Sequence, residues 1–310
     1  MDHHKREFPY PIVFCADGKF KNHVLVTAIS IIENNKEFNF KFYLLCSERN
    51  SDWNTKATAC MEAYGASFNE IEINESDFQH FPVMHHFSPA NYFRLLIPEI
   101  IQEPFFIYLD ADIICTDSLS LFLDLDLKGK VLAAVEDPVY IWKETLGMHP
   151  ESGYFNSGVI FVDSIKWKKM TIGKRVMDFL SQYPEKIRFV DQCGLNAVLD
   201  GDWLPLAPKF NQQAILFRKD FSTAHTSWTE DDILIAKNEP LLIHFTGPSK
   251  PWQYSCPHPL KYWYWKYQQD SPFKLSHPMG MKWSDHIKKY FPKSLKHKLR
   301  RIIGALGYSI

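Results

Sequence analysis

The sequence predicts an α/β fold: a mostly parallel sheet flanked by helices. Three observations carry this. Short apolar runs alternate with segments of helical period along most of the chain, the order expected of strands joined by crossover helices and covered on both faces. One run, Phe105-Phe106-Ile107-Tyr108-Leu109, is apolar throughout. The 310 residues are 45% apolar and 23% charged, which suits one large core, with or without a small appendage, and argues against wholesale disorder.

In chain order, Pro11 to Cys15 predicts a first strand and Val24 to Asn34 a helix after it. Phe40 to Cys46 predicts a second strand, Asn54 to Tyr64 a helix and Ser67 to Ile73 a third strand. A helix falls within Pro89 to Pro98, ahead of the strand Phe105 to Leu109. Later strands are expected at Val131 to Val135, Val159 to Val162 and Leu241 to Phe245, with helices at Ile172 to Tyr183 and through Leu199. Trp252 to Pro278 reads as a loop-rich aromatic segment, and no internal repeat is visible.

The net charge of −1 hides an asymmetry: from Lys282 onward there are eight Lys or Arg residues and one acid, so the body carries −8. A nucleic-acid-binding domain would carry its positive charge on the folded body. The six cysteines have no CxxC spacing and sit partly in apolar runs, which favours reduced core thiols over disulfides or a zinc site. No signal-peptide core and no stretch approaching 18 apolar residues is present, so the expectation is a cytoplasmic protein. The aromatic content of 15% is read as core packing rather than as a set of sugar-stacking platforms.

In open parallel sheets, ligands bind beyond the carboxyl ends of the strands. Three such ends stand out: Ala16-Asp17-Gly18, Asp110-Ala111-Asp112, and His244-Phe245-Thr246-Gly247-Pro248-Ser249-Lys250. Asp110 and Asp112 are two residues apart at the end of one strand, so strand alternation lets both face the same way. Two nearby carboxylates invite a cation, and oxygen ligands suit Mg²⁺ or Mn²⁺. His244 can add a nitrogen, Gly247 lets backbone approach a phosphate, and Lys250 adds a point charge. The same residue types also serve in plain strand-to-loop turns, and the residues alone leave both readings open.

Six ordered stretches then carry a resemblance: Phe14-Cys15-Ala16-Asp17, Asn91-Tyr92-Phe93-Arg94-Leu95, Tyr108-Leu109-Asp110-Ala111-Asp112, Tyr154-Phe155-Asn156-Ser157-Gly158-Val159, Asp191-Gln192-Cys193-Gly194-Leu195-Asn196, and His244 through Trp252. Together the chain resembles glycosyltransferase family 8, in particular the bacterial lipopolysaccharide galactosyl- and glucosyltransferases. The resemblance implies a GT-A fold over residues 1–275, a UDP-galactose or UDP-glucose donor, a Mn²⁺ (or Mg²⁺) ion and retention of configuration. It implies Asp110, Asp112 and His244 as metal ligands and Ala16 and Asp17 at the uridine. Gly247 and Lys250 fall at the diphosphate, Ala111 lies within the donor-binding acidic motif, and Arg94, Asn156, Asp191 and Gln192 surround the sugar. Asp191 and Gln192 are the candidate catalytic pair, for a double displacement through Asp191 or for same-face attack aided by Gln192. Where related enzymes often place Asn and Tyr after the first-loop Asp, this chain has Gly18-Lys19-Phe20, with Phe20 the available substitute for base stacking.

Two other classes compete. A phosphatase of the haloacid dehalogenase type expects its DxD near the amino terminus, with Thr or Val two residues beyond, where Ile114 stands here. A catalytically silent sugar-binding protein would be expected to lose a metal ligand, and all three are present. The remaining segment, 276–310, reads as a basic amphipathic tail. Ser294 can cap a helix in which Leu295, Leu299, Ile302, Ile303 and Leu306 form one stripe beside Lys296, Lys298, Arg300 and Arg301. That pattern suits the anionic inner face of the cytoplasmic membrane, where a lipid-linked saccharide acceptor would sit.

Overall fold

The computed structural model describes residues 9–18, 20–78, 90–224 and 226–281. Its elements run β1 (Tyr10–Cys15), α1 (Lys21–Glu33), β2 (Phe40–Cys46), α2 (Ser51–Ala63), β3 (Ser67–Glu72), α3 (Ala90–Phe93), α4 (Ile97–Ile100) and β4 (Phe105–Leu109). There follow β5 (Ile113–Cys115), α5 (Ser120–Leu123), β6 (Leu132–Glu136), β7 (Phe155–Asp163), α6 (Ser164–Lys169), α7 (Ile172–Gln182) and α8 (Val190–Leu199). The last are β8 (Leu204–Leu206), β9 (Gln212–Gln213), α9 (Glu230–Asn238), β10 (Leu242–His244) and α10 (Tyr262–Gln268), with short 3₁₀ turns between.

Seven strands form one sheet in the order β3-β2-β1-β4-β7-β6-β8, and three form a second in the order β5-β10-β9. In the large sheet only β7 runs against its neighbours, β4 and β6. Strand alternation divides its core in two. Ile12, Phe14, Phe42, Leu44, Ile107 and Leu109 face α1, β5 and β10, whereas Val13, Tyr43, Leu45, Phe106 and Tyr108 face α3, α7 and α8. Both faces are therefore dry, as a parallel α/β sheet requires.

Helix α1 is buried nearly all round and packs on the small sheet. Its polar groups are spent on that sheet's edge: Thr27 Oγ1 donates to Ile113 O at 2.7 Å, and Ser30 Oγ accepts from Cys115 N–H at 2.9 Å. The ring of His23 on the same helix stacks on Trp252 at 3.5 Å. Burial lowers the pKa of that imidazole to about 4, against the opposing pull of Asp112.

The pairing of β6 with β7 slips at Ala134/Val135, where the partner jumps from Ile160 to Asn156. Ser157-Gly158-Val159 bulge toward β4, and Asp110 N–H donates to Gly158 O at 2.8 Å. Bulges re-aim side chains in this way. All six cysteines are free, four of them buried. No helix among the described residues is long and apolar enough to cross a membrane. The tail expectation falls on residues beyond 281, outside those described. Met279 is still tied to the body, its N–H donating to Trp252 O at 2.8 Å.

Two expectations change. Asp110-Ala111-Asp112 is not a strand continuation but the turn between β4 and β5, so the carboxylates converge by turning rather than by alternation. His244 does not end a strand of the same sheet, because β10 belongs to the small one. The segment from Trp252 also contains α10, whose aromatic sequence YWYWKYQ has weak intrinsic helix preference. Tertiary contacts hold it: the Tyr264 hydroxyl lies 2.8 Å from His23 Nδ1, and Tyr267 Oη accepts from Asn34 at 2.7 Å.

Candidate active site

The carboxyl end of β4 is the centre of a polar cluster on which both sheets converge. Asp110 and Asp112 leave β4 through the turn, and His244 arrives from β10, paired opposite Ile113. One ligand atom from each of these three residues can be chosen so that all lie within 4.8 Å of one another. His244 Nε2 is 3.4 Å from Asp112 Oδ1 and 3.7 Å from Asp110 Oδ2. Lys250 Nζ is ion-paired with Asp112 Oδ2 and donates to Phe245 O at 3.0 Å. Burial pushes the Asp112 carboxyl up, but Lys250 and His244 outweigh it and hold the group well below the usual carboxylate range.

Gly158 packs closely against His244 and Asp110. A Cβ built there would overlap His244 Cε1 and stand 2.6 Å from Asp110 Oδ2. The cradle is open only because residue 158 has no side chain. Gly247, by contrast, is needed for its φ of +85°, since nothing lies within 4 Å of a Cβ there.

On the other side of Asp110 stands Arg94, 3% exposed at the start of a 3₁₀ turn. It is a hub and not a surface residue. Its Nη2 donates to Asp110 Oδ1 at 3.1 Å, its Nε pairs with Asp191 Oδ2 at 3.1 Å, and its Nη1 donates to Ser157 O at 2.7 Å. Its guanidinium also rests 4.3 Å over the Tyr108 ring, whose hydroxyl donates to Asp110 Oδ1 at 2.7 Å. Asp191 lies inside the first turn of α8, with Phe189 at the N-cap, so it is not a capping residue. Burial raises its pKa to about 6, with Arg94 opposing and Asp110 adding to the rise. Val190, just before it, has φ +39°, an uncommon conformation for a β-branched residue and one found where a site holds strain.

Gln192 completes this flank. Its Oε1 accepts from Ser157 N–H at 3.0 Å and from Asn156 Nδ2 at 3.3 Å, while its Nε2 donates to Asp137 Oδ2 at 2.9 Å. Asn156 is buried within β7 and does not serve a turn. Ala16 and Asp17 stand at the adjoining end of β1; among the described residues, no hydrogen bond joins either to the acidic cluster. Asp17 O accepts from Phe20 N–H at 2.9 Å, and Phe20 is 37% exposed, edge-on to Trp252.

Tyr108 and Ser157, which stood in the resembling stretches without an assigned role, join the cluster, as do Asp137 and Asn211, which stood outside them. Asp137 directly follows β6, so the strand-end rule reaches it. Asn211, brought in by a 3₁₀ turn ahead of β9, has no local signal. In all, three carboxylates (Asp110, Asp112, Asp191) pair with two cations, Arg94 and Lys250, and Asp137 adds a fourth carboxylate through Gln192. That excess of two negative charges, with two oxygens and one nitrogen converging, fits a divalent ion of the Mn²⁺ or Mg²⁺ kind. A surface depression lined by Glu33, Lys36, Tyr64 and Gly65 lies at the amino ends of β2 and β3. That is the end of the strands away from the cluster, where such sheets do not place their ligands.

A mixed sheet with an acidic turn at the end of β4, answered by a histidine from a second sheet, is the arrangement of a GT-A glycosyltransferase. The sequence model of Glycosyl transferase family 8 matches residues 11–256, and the chain belongs to that family. It is 28% identical to the lipopolysaccharide 1,2-glucosyltransferase of Escherichia coli K12, over 96% of this chain and 89% of that one. It is also 28% identical to general stress protein A of Bacillus subtilis, over 83% and 92%. Among solved structures, the galactosyltransferase LgtC in complex with donor and acceptor sugar analogues superposes with a TM-score of 0.77. The identity is 25%, over 86% of this chain and 98% of that one.

Proposed function

We propose that this protein moves galactose or glucose from a UDP-sugar onto a saccharide acceptor, of lipopolysaccharide or lipooligosaccharide core type, with retention of the donor's α configuration. The observation that carries the reading is the convergence of Asp110, Asp112 and His244 beside Arg94 and Asp191. The named activities of the E. coli relative and of LgtC support the substrate class.

In this reading Asp110, Asp112 and His244 hold Mn²⁺ or Mg²⁺, which supplies charge neutralisation to the departing diphosphate. Ala16 and Asp17 meet the uridine, with Phe20 offering an exposed face to the base. Lys250 and the backbone around Gly247 receive the diphosphate, and the acidic turn through Ala111 lines the donor. Arg94, Asn156, Asp191 and Gln192 surround the hexose. Gln192 Oε1 already accepts from Ser157 and Asn156, and Asp191 Oδ2 is engaged by Arg94 and Ser157. Attack by either group would have to give up those contacts, which favours same-face substitution. The acceptor oxygen bonds to C1 as the C1–phosphate bond breaks, and the acceptor proton passes to the leaving diphosphate. Gln192 Nε2–H donates to Asp137 and steadies that carboxylate, whose negative charge favours the developing positive charge of the ring.

Incubating the enzyme with a panel of nucleotide sugars identifies donor and nucleotide, and the anomeric coupling in the proton NMR spectrum of the product reports its stereochemistry. An α product from UDP-galactose or UDP-glucose supports the reading. A β product removes the retaining mechanism, and no transfer from any donor returns the silent sugar-binding alternative. We further propose that residues 276–310 attach the 1–275 catalytic unit to the cytoplasmic face of an anionic membrane, each basic side chain near the surface adding about 1 kcal/mol. Truncation after Lys282 then abolishes sedimentation with anionic vesicles while turnover of a small soluble acceptor is preserved. Unchanged sedimentation excludes the tail as anchor.

A further inference from the structure

Asn211 is wholly buried, and its side chain lies 2.9 Å from Nδ1 of His244. The orientation of every group in that chain follows from one backbone amide. Gly158 N–H can only donate, and it points at Asn156 Oδ1 at 3.1 Å, which fixes the Asn156 amide with oxygen inward. The Asn211 group 3.0 Å from that same oxygen must then be its NH₂, because a carbonyl there would face another acceptor. Asn211 therefore turns Oδ1 toward His244. Nδ1 must carry the hydrogen, and the lone pair of Nε2 is left bare on the side of Asp110 and Asp112.

We infer that Asn211 is a positioning residue, which through Asn156 and the Gly158 amide locks His244 in the tautomer that presents Nε2 as a ligand. The inference rests on the metal reading given above. Ligating histidines hold their ring by donating the second N–H to a fixed partner, and loss of such a partner costs ~10–100-fold in metal affinity. The same Asn156 amide donates to Gln192 and Asp137, so the lock ties the ligand side of the site to the sugar side through hydrogen bonds alone.

The test is nitrogen-15 NMR of the histidine rings in the metal-free full chain, together with Mn²⁺ affinity measured by electron paramagnetic resonance. His244 in the unmodified chain should show a protonated Nδ1 and an unprotonated Nε2. Asn211→Leu, of similar size, should lose that single tautomer and bind Mn²⁺ ~10–100-fold more weakly. Asn211→Asp keeps an oxygen acceptor for Nδ1–H and should keep the tautomer, its second oxygen either holding a proton toward Asn156 Oδ1 or turning that amide, so a fold lost in the leucine variant leaves the idea exposed to the aspartate one. A hydrogen on Nε2 in the unmodified chain, Asn211→Leu with undiminished Mn²⁺ affinity, or Asn211→Asp without the tautomer overturns the inference. An unmodified chain that shows the Nδ1–H tautomer but binds no Mn²⁺ upholds the lock and overturns the metal reading instead.

Discussion

Asp110 stands between two neighbourhoods that hold their charges differently. Toward α8, Arg94 and Asp191 are each 3% exposed, and the guanidinium is met on every side by Asp110, Asp191, Ser157 and the Tyr108 ring. Toward β10, Lys250 reaches Asp112 with a side chain that is still 19% exposed, on a flexible four-carbon stem. The first neighbourhood cannot lose a partner without stranding a buried charge. The second can lose its carboxylate, because the cation left behind has water within reach. The fold thus invests rigidity where a sugar would be oriented and keeps exchangeable charge where a diphosphate would arrive.

The largest effect expected from this contrast is on stability. Arg94→Met strands Asp191 and Asp110 and should cost about 3–5 kcal/mol in denaturant unfolding, along with turnover. A loss under 1 kcal/mol would show the two neighbourhoods to be alike. Asp112→Ala should weigh the other way, with turnover falling at least ~100-fold as charge stabilisation of the leaving group is lost, and the unfolding midpoint moving less than in Arg94→Met. Full turnover in that variant, or in chelator-treated enzyme, would remove the ion from the reaction. Gly158→Ala drives a methyl group into His244 and Asp110 and should weaken Mn²⁺ binding by ~10-fold or more, with an overpacking cost of about 1–3 kcal/mol. Unchanged affinity would mean the cradle relaxes.

The smallest signal is a slope. Asp191 titrates near 6 in the fold, above an ordinary unfolded carboxyl. The native state therefore holds its proton to higher pH, so the stability from this group is complete below about pH 4 and fades as pH rises through about 6. Asp191→Asn should flatten the stability profile in that window. A profile identical to the parent's would remove the shift.

The same contrast explains what the sequence makes legible. Asp110, Asp112, His244 and Lys250 each follow an apolar run, so the strand-end rule finds them from local pattern, as it finds β1, β2 and β4. It mistakes their geometry, because Ile113–Cys115 is too short to announce a strand of a second sheet. Helix α9 is not among the expected helices, although it carries a readable mark, the capping box of Thr229 and Asp232. The Arg94, Asn156, Asn211 and Gln192 network joins residues up to about a hundred positions apart, through a bulge and a 3₁₀ turn. No periodicity encodes it. Family resemblance pointed to Arg94, Asn156 and Gln192 but was silent on Asn211, whose part lies in a tautomer.

The cysteines have a practical consequence for labelling chemistry. Burial raises Cys46 to about 11 and Cys115 to about 12, pushes Cys15, Cys60 and Cys193 upward as well, and encloses Cys256. A thiol titrating at 11 is thiolate in only about one molecule in ten thousand at neutral pH, and thiolate is the form that alkylates. A cysteine introduced at exposed Ile141 or Leu234 would meet a maleimide far sooner than the buried thiols Cys46, Cys115, Cys193 and Cys256. Fluorophores can therefore be placed on this protein after replacing only the half-buried Cys15 and Cys60, leaving the packing around the four buried sulfurs untouched.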